Sequence, residues 1–175
     1  MKSTHLLVAL LLASSPAAAQ STAEQTGVNA TLGISPSTAD FITKAAISDM
    51  FELESSELAS QRGSAATKAF AADMITAHRK TSEQLKALVG TGKAEGTIPV
   101  ALDEEHQEEL ADLEKLNGPD FDKEYRDDQI DAHEAAVSLF ERYAKGGENA
   151  ALKEWAGSVL PELKHHLEMA KKLPD

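Results

Sequence analysis

Apolar side chains recur every three or four positions through four long stretches of the chain, which is the spacing of an amphipathic α-helix. The first stretch begins at Ser37, where Asp40 follows three residues later in a start signal of the capping-box type, and it stops at Gly63. Similar start and stop residues bound the other three stretches, which are predicted as helices over 64–90, 119–146 and 149–173. No window shows the alternation of a strand, so the predicted class is all-α.

The connections between these helices predict their topology. Short turns at Gly63 and at Gly146-Gly147 join the first helix to the second and the third to the fourth, so each pair is antiparallel. Roughly thirty residues separate the second helix from the third, and they include a short helix capped by Asp103. Such a crossover lets those two helices run parallel, which predicts a ferritin-like four-helix bundle over 37–175. The alternative, an up-down-up-down bundle, needs only a short loop there.

The first residues have the pattern of a secretory signal. Lys2 precedes an apolar run, and small residues lead to a predicted cleavage site after Ala19. The apolar run is shorter than the roughly 20 residues that span a bilayer, so no transmembrane segment is expected in the mature protein. Residues 20–36 lack an apolar period and are predicted to be a disordered leader. We therefore expect an exported protein of the periplasm or outer envelope.

The net charge and the cysteine content limit which binding partners and reactions are possible. The chain carries 29 acidic and 17 basic residues, a formal net charge of -12, and such a surface repels nucleic acid. It contains no cysteine, so thiol catalysis and disulfides are excluded. No nucleotide-binding or hydrolase motif is present, and the prediction leans against an enzyme, although a small metal-dependent oxidase is a third possibility.

One ligand-type side chain lies on the inward face of each long helix. On a helical wheel, Glu52, His78, His133 and His166 fall within the apolar stripes of the first to fourth helices. Their predicted depths agree to roughly 6 Å at 1.5 Å per residue. Imidazole and carboxylate together suit zinc, iron, manganese or copper, so these four residues predict a site for one transition metal ion in the bundle core.

Further polar residues flank the predicted ligands. We expect Gln129, Glu134 and Glu162 to orient the imidazoles, and Glu162 could also be a ligand itself. Dinuclear ferritin-like sites use Glu-x-x-His pairs, whereas Ile75, Ile130 and Leu163 stand three residues before the inward histidines, so a mononuclear site is favoured. The competing hypothesis is a structural or interaction module of the cell envelope whose core histidines are hydrogen-bonded to neighbours.

Several motifs in the four long helices resemble a bacterial exported family known as domain of unknown function 4142, whose members are often described as predicted outer membrane proteins. The matching pieces are Glu52-Leu53-Glu54, Lys68-Ala69-Phe70-Ala71, Met74-Ile75 with His78, Phe121-Asp122 with Tyr125, Gln129-Ile130 with His133-Glu134, and Leu160-Pro161 with Leu163 and His166-Leu167. The resemblance implies a ferritin-like fold and equivalent positions for Glu52 and the three histidines. Ala77 and Ala132 stand where members commonly have Asp.

Overall fold

The four long helices begin at the positions that their capping residues predict, to within one residue. A computed structural model describes residues 21–174, with long helices α3 (Thr38–Arg62), α4 (Ala65–Gly90), α6 (Gly118–Gly146) and α7 (Ala150–Ala170). The side chains of Ser37, Ser64 and Asn149 accept hydrogen bonds from main-chain N–H groups in the first turns of α3, α4 and α7. The last helix ends three residues before the predicted boundary at 173.

The described residues form an all-α fold, and contacts between α3 and α6 establish its topology. Thr38 at the start of α3 hydrogen-bonds Tyr143 near the end of α6, whereas Ser56 farther along α3 hydrogen-bonds Tyr125 near the start of α6. These helices are therefore antiparallel, and because α3 and α4 form a hairpin, α4 and α6 run parallel. Short α5 (Glu104–Leu113) lies in the crossover between α4 and α6, capped by Asp103. This arrangement confirms the predicted ferritin-like bundle.

The segment predicted to be a disordered leader contains two short helices. These are α1 (Thr22–Gln25) and α2 (Val28–Leu32), so the prediction differs from the structure over these residues. The buried Glu24 carboxylate pairs with Arg142 of α6 at 2.9 Å, and Asp40 accepts two hydrogen bonds from Ser21. Polar contacts rather than an apolar stripe hold the segment, which explains why hydrophobic periodicity does not reveal it. The predicted signal over 1–19 lies outside the described residues.

Two apolar clusters divide the bundle along its length. One lies around Phe41 and Phe140, toward the beginning of α3 and the end of α6. The other lies around Met74 and Phe121, toward the end of α3 and the beginning of α6. Between them, each of the four long helices contributes buried polar side chains. Among residues 21–174, no helix is long and apolar enough to cross a membrane.

A Glu24→Gln substitution tests how the N-terminal segment is held. Burial alone would raise the pKa of Glu24, but hydrogen bonds from Arg142 and Asn29 outweigh this and lower it, so the pair stays charged at neutral pH. Removing the charge should increase amide hydrogen exchange in α1 and α2 and leave exchange in α7 unchanged, since the segment can open locally. Glu141→Gln, which removes an exposed ion pair to Lys164, is the control and should alter neither region. Equal exchange in both variants would contradict the prediction.

Candidate metal centre

Three histidines from three helices meet in the polar layer between the two apolar clusters. His78 of α4, His133 of α6 and His166 of α7 are each buried, and their ring centroids lie 5.5 to 5.7 Å apart. One nitrogen from each ring lies within 4.8 Å of the others. Three nitrogens about 2.1 Å from one tetrahedral ion are about 3.4 Å apart, so modest side-chain rotation would bring them to ligand distance.

A carboxylate from α3 fixes the orientation of His78. Its Nδ1 lies 2.8 Å from Asp49 Oδ1, and Asp49 also accepts hydrogen bonds from the hydroxyls of Thr81 and Ser82. Because the carboxylate accepts, His78 Nδ1 carries the proton. In the neutral ring, the lone pair is then on Nε2, the atom without a hydrogen-bond partner in the described chain.

The ring of His133 is oriented by its own helix. Its Nδ1 donates to the main-chain oxygen of Gln129 at 2.8 Å, which leaves the lone pair on Nε2. Glu52 of α3 lies beside the same Nδ1, with Oε1 at 3.4 Å. Glu52 is therefore in contact with the histidine cluster through the Nδ1 side of His133.

The layer contains several buried polar atoms without a hydrogen-bond partner among residues 21–174. They are both carboxylate oxygens of Glu52, Nε2 of His78, Nε2 of His133, Nδ1 of His166 and Oε1 of the Gln129 amide. Burying such groups unpaired costs several kcal/mol, and an isolated carboxylate costs most. The three imidazole nitrogens are thus chemically suited to a cation, and the Glu52 carboxylate beside His133 places a negative charge next to them.

Electrostatics keep two of the three imidazoles neutral. Burial, assisted by the neighbouring histidines, lowers the pKa of His166 to about 3. Burial also lowers the pKa of His133, although the charge of Glu52 opposes the shift. Burial alone would also lower the pKa of His78. The hydrogen bond to Asp49 and the negative charges of Glu52 and Asp49 outweigh this effect, and the pKa of His78 is raised.

The three residues expected to orient the imidazoles occupy different environments. Gln129 is buried and acts through its main-chain oxygen, while its side-chain amide donates to Ser55. Glu134 pairs with Lys171 and Glu162 pairs with Lys80, both near the surface. Glu162 stands three residues before His165, but that histidine is exposed. The structure therefore brings together Glu52, His78, His133 and His166, and leaves the Glu134 and Glu162 carboxylates in surface ion pairs.

Asp49 is the residue that the sequence reasoning missed. It stands three residues before Glu52, so the two carboxylates lie on neighbouring positions of one α3 face. This i, i+3 spacing is the available signal, together with Thr81 and Ser82 at a similar helical depth. Asp49 supplies a carboxylate to His78, whose preceding residue in this chain is Ala77.

The fold and the layer together define a ferritin-like helical bundle with a buried histidine cluster. The chain belongs to the family described as Domain of unknown function (DUF4142), whose family model matches residues 23–173. This match confirms the resemblance drawn from the sequence motifs. No curated protein and no solved structure is significantly similar to the chain.

The opposite pKa shifts predict distinct titrations in the metal-free protein. By NMR of ring nitrogens, His166 should remain neutral at pH 5, whereas His78 should gain a proton above the ordinary histidine pKa of about 6.5. A lowered pKa favours proton uptake by the unfolded chain, so His166 should reduce the free energy of unfolding as pH falls below about 6.5. The raised pKa of His78 has the opposite sign, since its contribution is present in acid and lost as pH rises through the folded pKa.

This prediction is checked by assigning the ring-nitrogen signals to individual histidines. His165 is adjacent to His166 but exposed, so the ring signals of these two residues must be assigned separately. Protonation of the His166 ring at or above pH 5 would contradict the described burial.

Proposed function

We propose that the protein binds one transition metal ion in the bundle core. His78, His133 and His166 are its imidazole ligands, and Glu52 supplies the carboxylate. The binding serves metal handling or the response to envelope stress rather than catalytic turnover. Zinc, iron, manganese and copper all suit a set of imidazole and carboxylate donors without sulfur.

One observation carries this proposal: unpaired nitrogens of three buried imidazoles and both oxygens of a buried carboxylate share one layer. Protein interiors rarely leave so many polar atoms without partners, and exceptions call for a specific explanation. A bound cation accounts for all of them, because it accepts lone pairs from every group and offsets the charge of Glu52. A buried water could pair with some of these atoms, but it would not neutralise the carboxylate.

The alternative of a module with satisfied core histidines has less support. It requires that the protein itself pair the imidazoles, and Asp49 does so for one nitrogen of His78. Within residues 21–174, however, the remaining nitrogen of His78 and the Nε2 of His133 have no such partner. The hydrogen bonds that do exist leave these lone pairs free.

The preference for metal handling over turnover rests on the enclosure of the layer. His133 and Glu52 are each 1% exposed, and His78 and His166 are 3% and 5% exposed. Neither of two grooves on the described surface is lined by any of these four residues. A small oxidase requires that a substrate reach an open coordination position. The signal pattern over 1–19 supports the proposal that the protein acts in the periplasm or outer envelope.

Metal titration of the demetallated protein tests the proposal. One equivalent of a transition metal should bind, and a free concentration a hundred times the Kd should raise the free energy of unfolding by about 2.7 kcal/mol. A chelator should remove this increment. Calorimetric titration gives the stoichiometry, and thermal unfolding with and without metal gives the increment.

Two histidine variants provide a matched comparison. His133→Ala should abolish the metal-dependent rise in Tm, since it removes a buried ligand. His165→Ala removes an exposed imidazole from the neighbouring helix and should retain the full rise. An unchanged Tm of the parent protein with zinc, manganese, iron and copper would overturn the metal proposal in favour of the interaction module.

A further inference from the structure

Asp49 is a buried carboxylate that belongs to the polar layer without touching the unpaired ligand atoms. It is 7% exposed and lies on α3 one turn before Glu52. Three donors from α4 contact it: His78 Nδ1 at 2.8 Å, Thr81 Oγ1 at 2.9 Å and Ser82 Oγ at 3.2 Å. Both of its oxygens are engaged, so the carboxylate has little freedom to rotate.

These contacts fix the orientation of the His78 ring. The two hydroxyls hold the carboxylate in place, and the carboxylate in turn holds the Nδ1–H of the ring. A metal-ligating histidine commonly donates its second N–H to a carboxylate, which fixes the ring and increases the basicity of the ligating nitrogen. The hydrogen bond of His133 to a main-chain oxygen supplies a comparable orientation without a charge.

Asp49 also changes the total charge of the groups that would surround an ion in the layer. Glu52 and Asp49 contribute two negative charges, and the three imidazoles contribute none when they bind a metal ion, because a ligating imidazole is neutral. A divalent cation brings this sum to zero, whereas a monovalent cation leaves one negative charge uncompensated in a region excluded from water. Because charges interact strongly where the dielectric constant is low, this difference should favour the divalent ion.

We propose that Asp49 is the positioning residue of the centre and that its charge makes the centre selective for divalent over monovalent cations. This inference rests on the proposed function, since it concerns the same metal site. The competing role for Asp49 is structural: a link between α3 and α4 that affects folding alone. A structural link would not change the ratio of affinities for two ions of different charge.

The test compares zinc with copper(I) in the full chain carrying Asp49→Asn. Asparagine can still accept a hydrogen bond from His78 but has no charge. Its Kd for zinc should rise by about 10- to 100-fold, the usual cost of losing such a supporting carboxylate. Its Kd for copper(I), measured without oxygen against a chromophoric chelator, should change much less. The zinc-to-copper(I) affinity ratio should therefore fall at least about tenfold.

Asp40→Asn is the matched control. Asp40 is also a buried carboxylate of α3 that accepts side-chain and main-chain hydrogen bonds, but it lies about 14 Å along the helix from Asp49. Its substitution should leave both affinities unchanged. Asp49→Glu retains the charge and should preserve the affinity ratio even if both affinities fall.

The possible outcomes separate the two proposals. If the unsubstituted protein binds no transition metal, the proposed function fails and this inference fails with it. If that protein binds zinc and Asp49→Asn retains the parent Kd for both ions, the role of the Asp49 charge is overturned while the proposed function stands. Equal losses for both ions would overturn the charge selectivity.

Further variants keep the inference testable if Asp49→Asn does not fold. Ser82→Ala and Thr81→Val each remove one donor to Asp49 and keep the carboxylate. Each should weaken zinc binding severalfold and leave the zinc-to-copper(I) ratio nearly constant. Unchanged zinc affinity in both variants would overturn the positioning role.

Discussion

The bundle depends on one electrostatic constraint: a buried carboxylate and three buried imidazoles must be compensated in a layer between two apolar clusters. Each long helix contributes one of these groups, so the constraint fixes the register of all four helices at once. If one helix shifted by a turn along the bundle, its imidazole or carboxylate would enter an apolar cluster. That group would then lose contact with the other three polar groups of the layer. The polar layer therefore specifies how the helices align, while the apolar clusters supply most of the favourable burial.

Most of the architecture follows from local sequence signals. Ser37, Ser64 and Asn149 satisfy the first N–H groups of their helices, and glycines follow the ends of α3 and α6, so the boundaries are specified by nearby residues. The long crossover follows from the sequence as well, because the second and third helical stretches are far apart along the chain. Inward positions of the three histidines follow from the helical period, because the apolar stripe around each one must face the core.

The remaining features depend on partners that are distant in the sequence. Periodicity places Asp49 near the inward face of α3 but does not reveal that two hydroxyls and an imidazole of α4 converge on it. Glu134 and Glu162 are near stripe edges, where long side chains can turn toward lysines of neighbouring helices. The α1 and α2 segment is held through Arg142, more than a hundred residues away, so no local pattern could predict it.

The division of the centre between two hairpins has a consequence for the order of folding. Glu52 and His78 belong to the α3–α4 hairpin, and His133 and His166 belong to the α6–α7 hairpin. Each hairpin closes through contacts that are local in the sequence, whereas docking one on the other closes the long crossover loop and is entropically more demanding. The four groups come together only when the two hairpins dock, so we expect this layer to be completed by the least local step of folding.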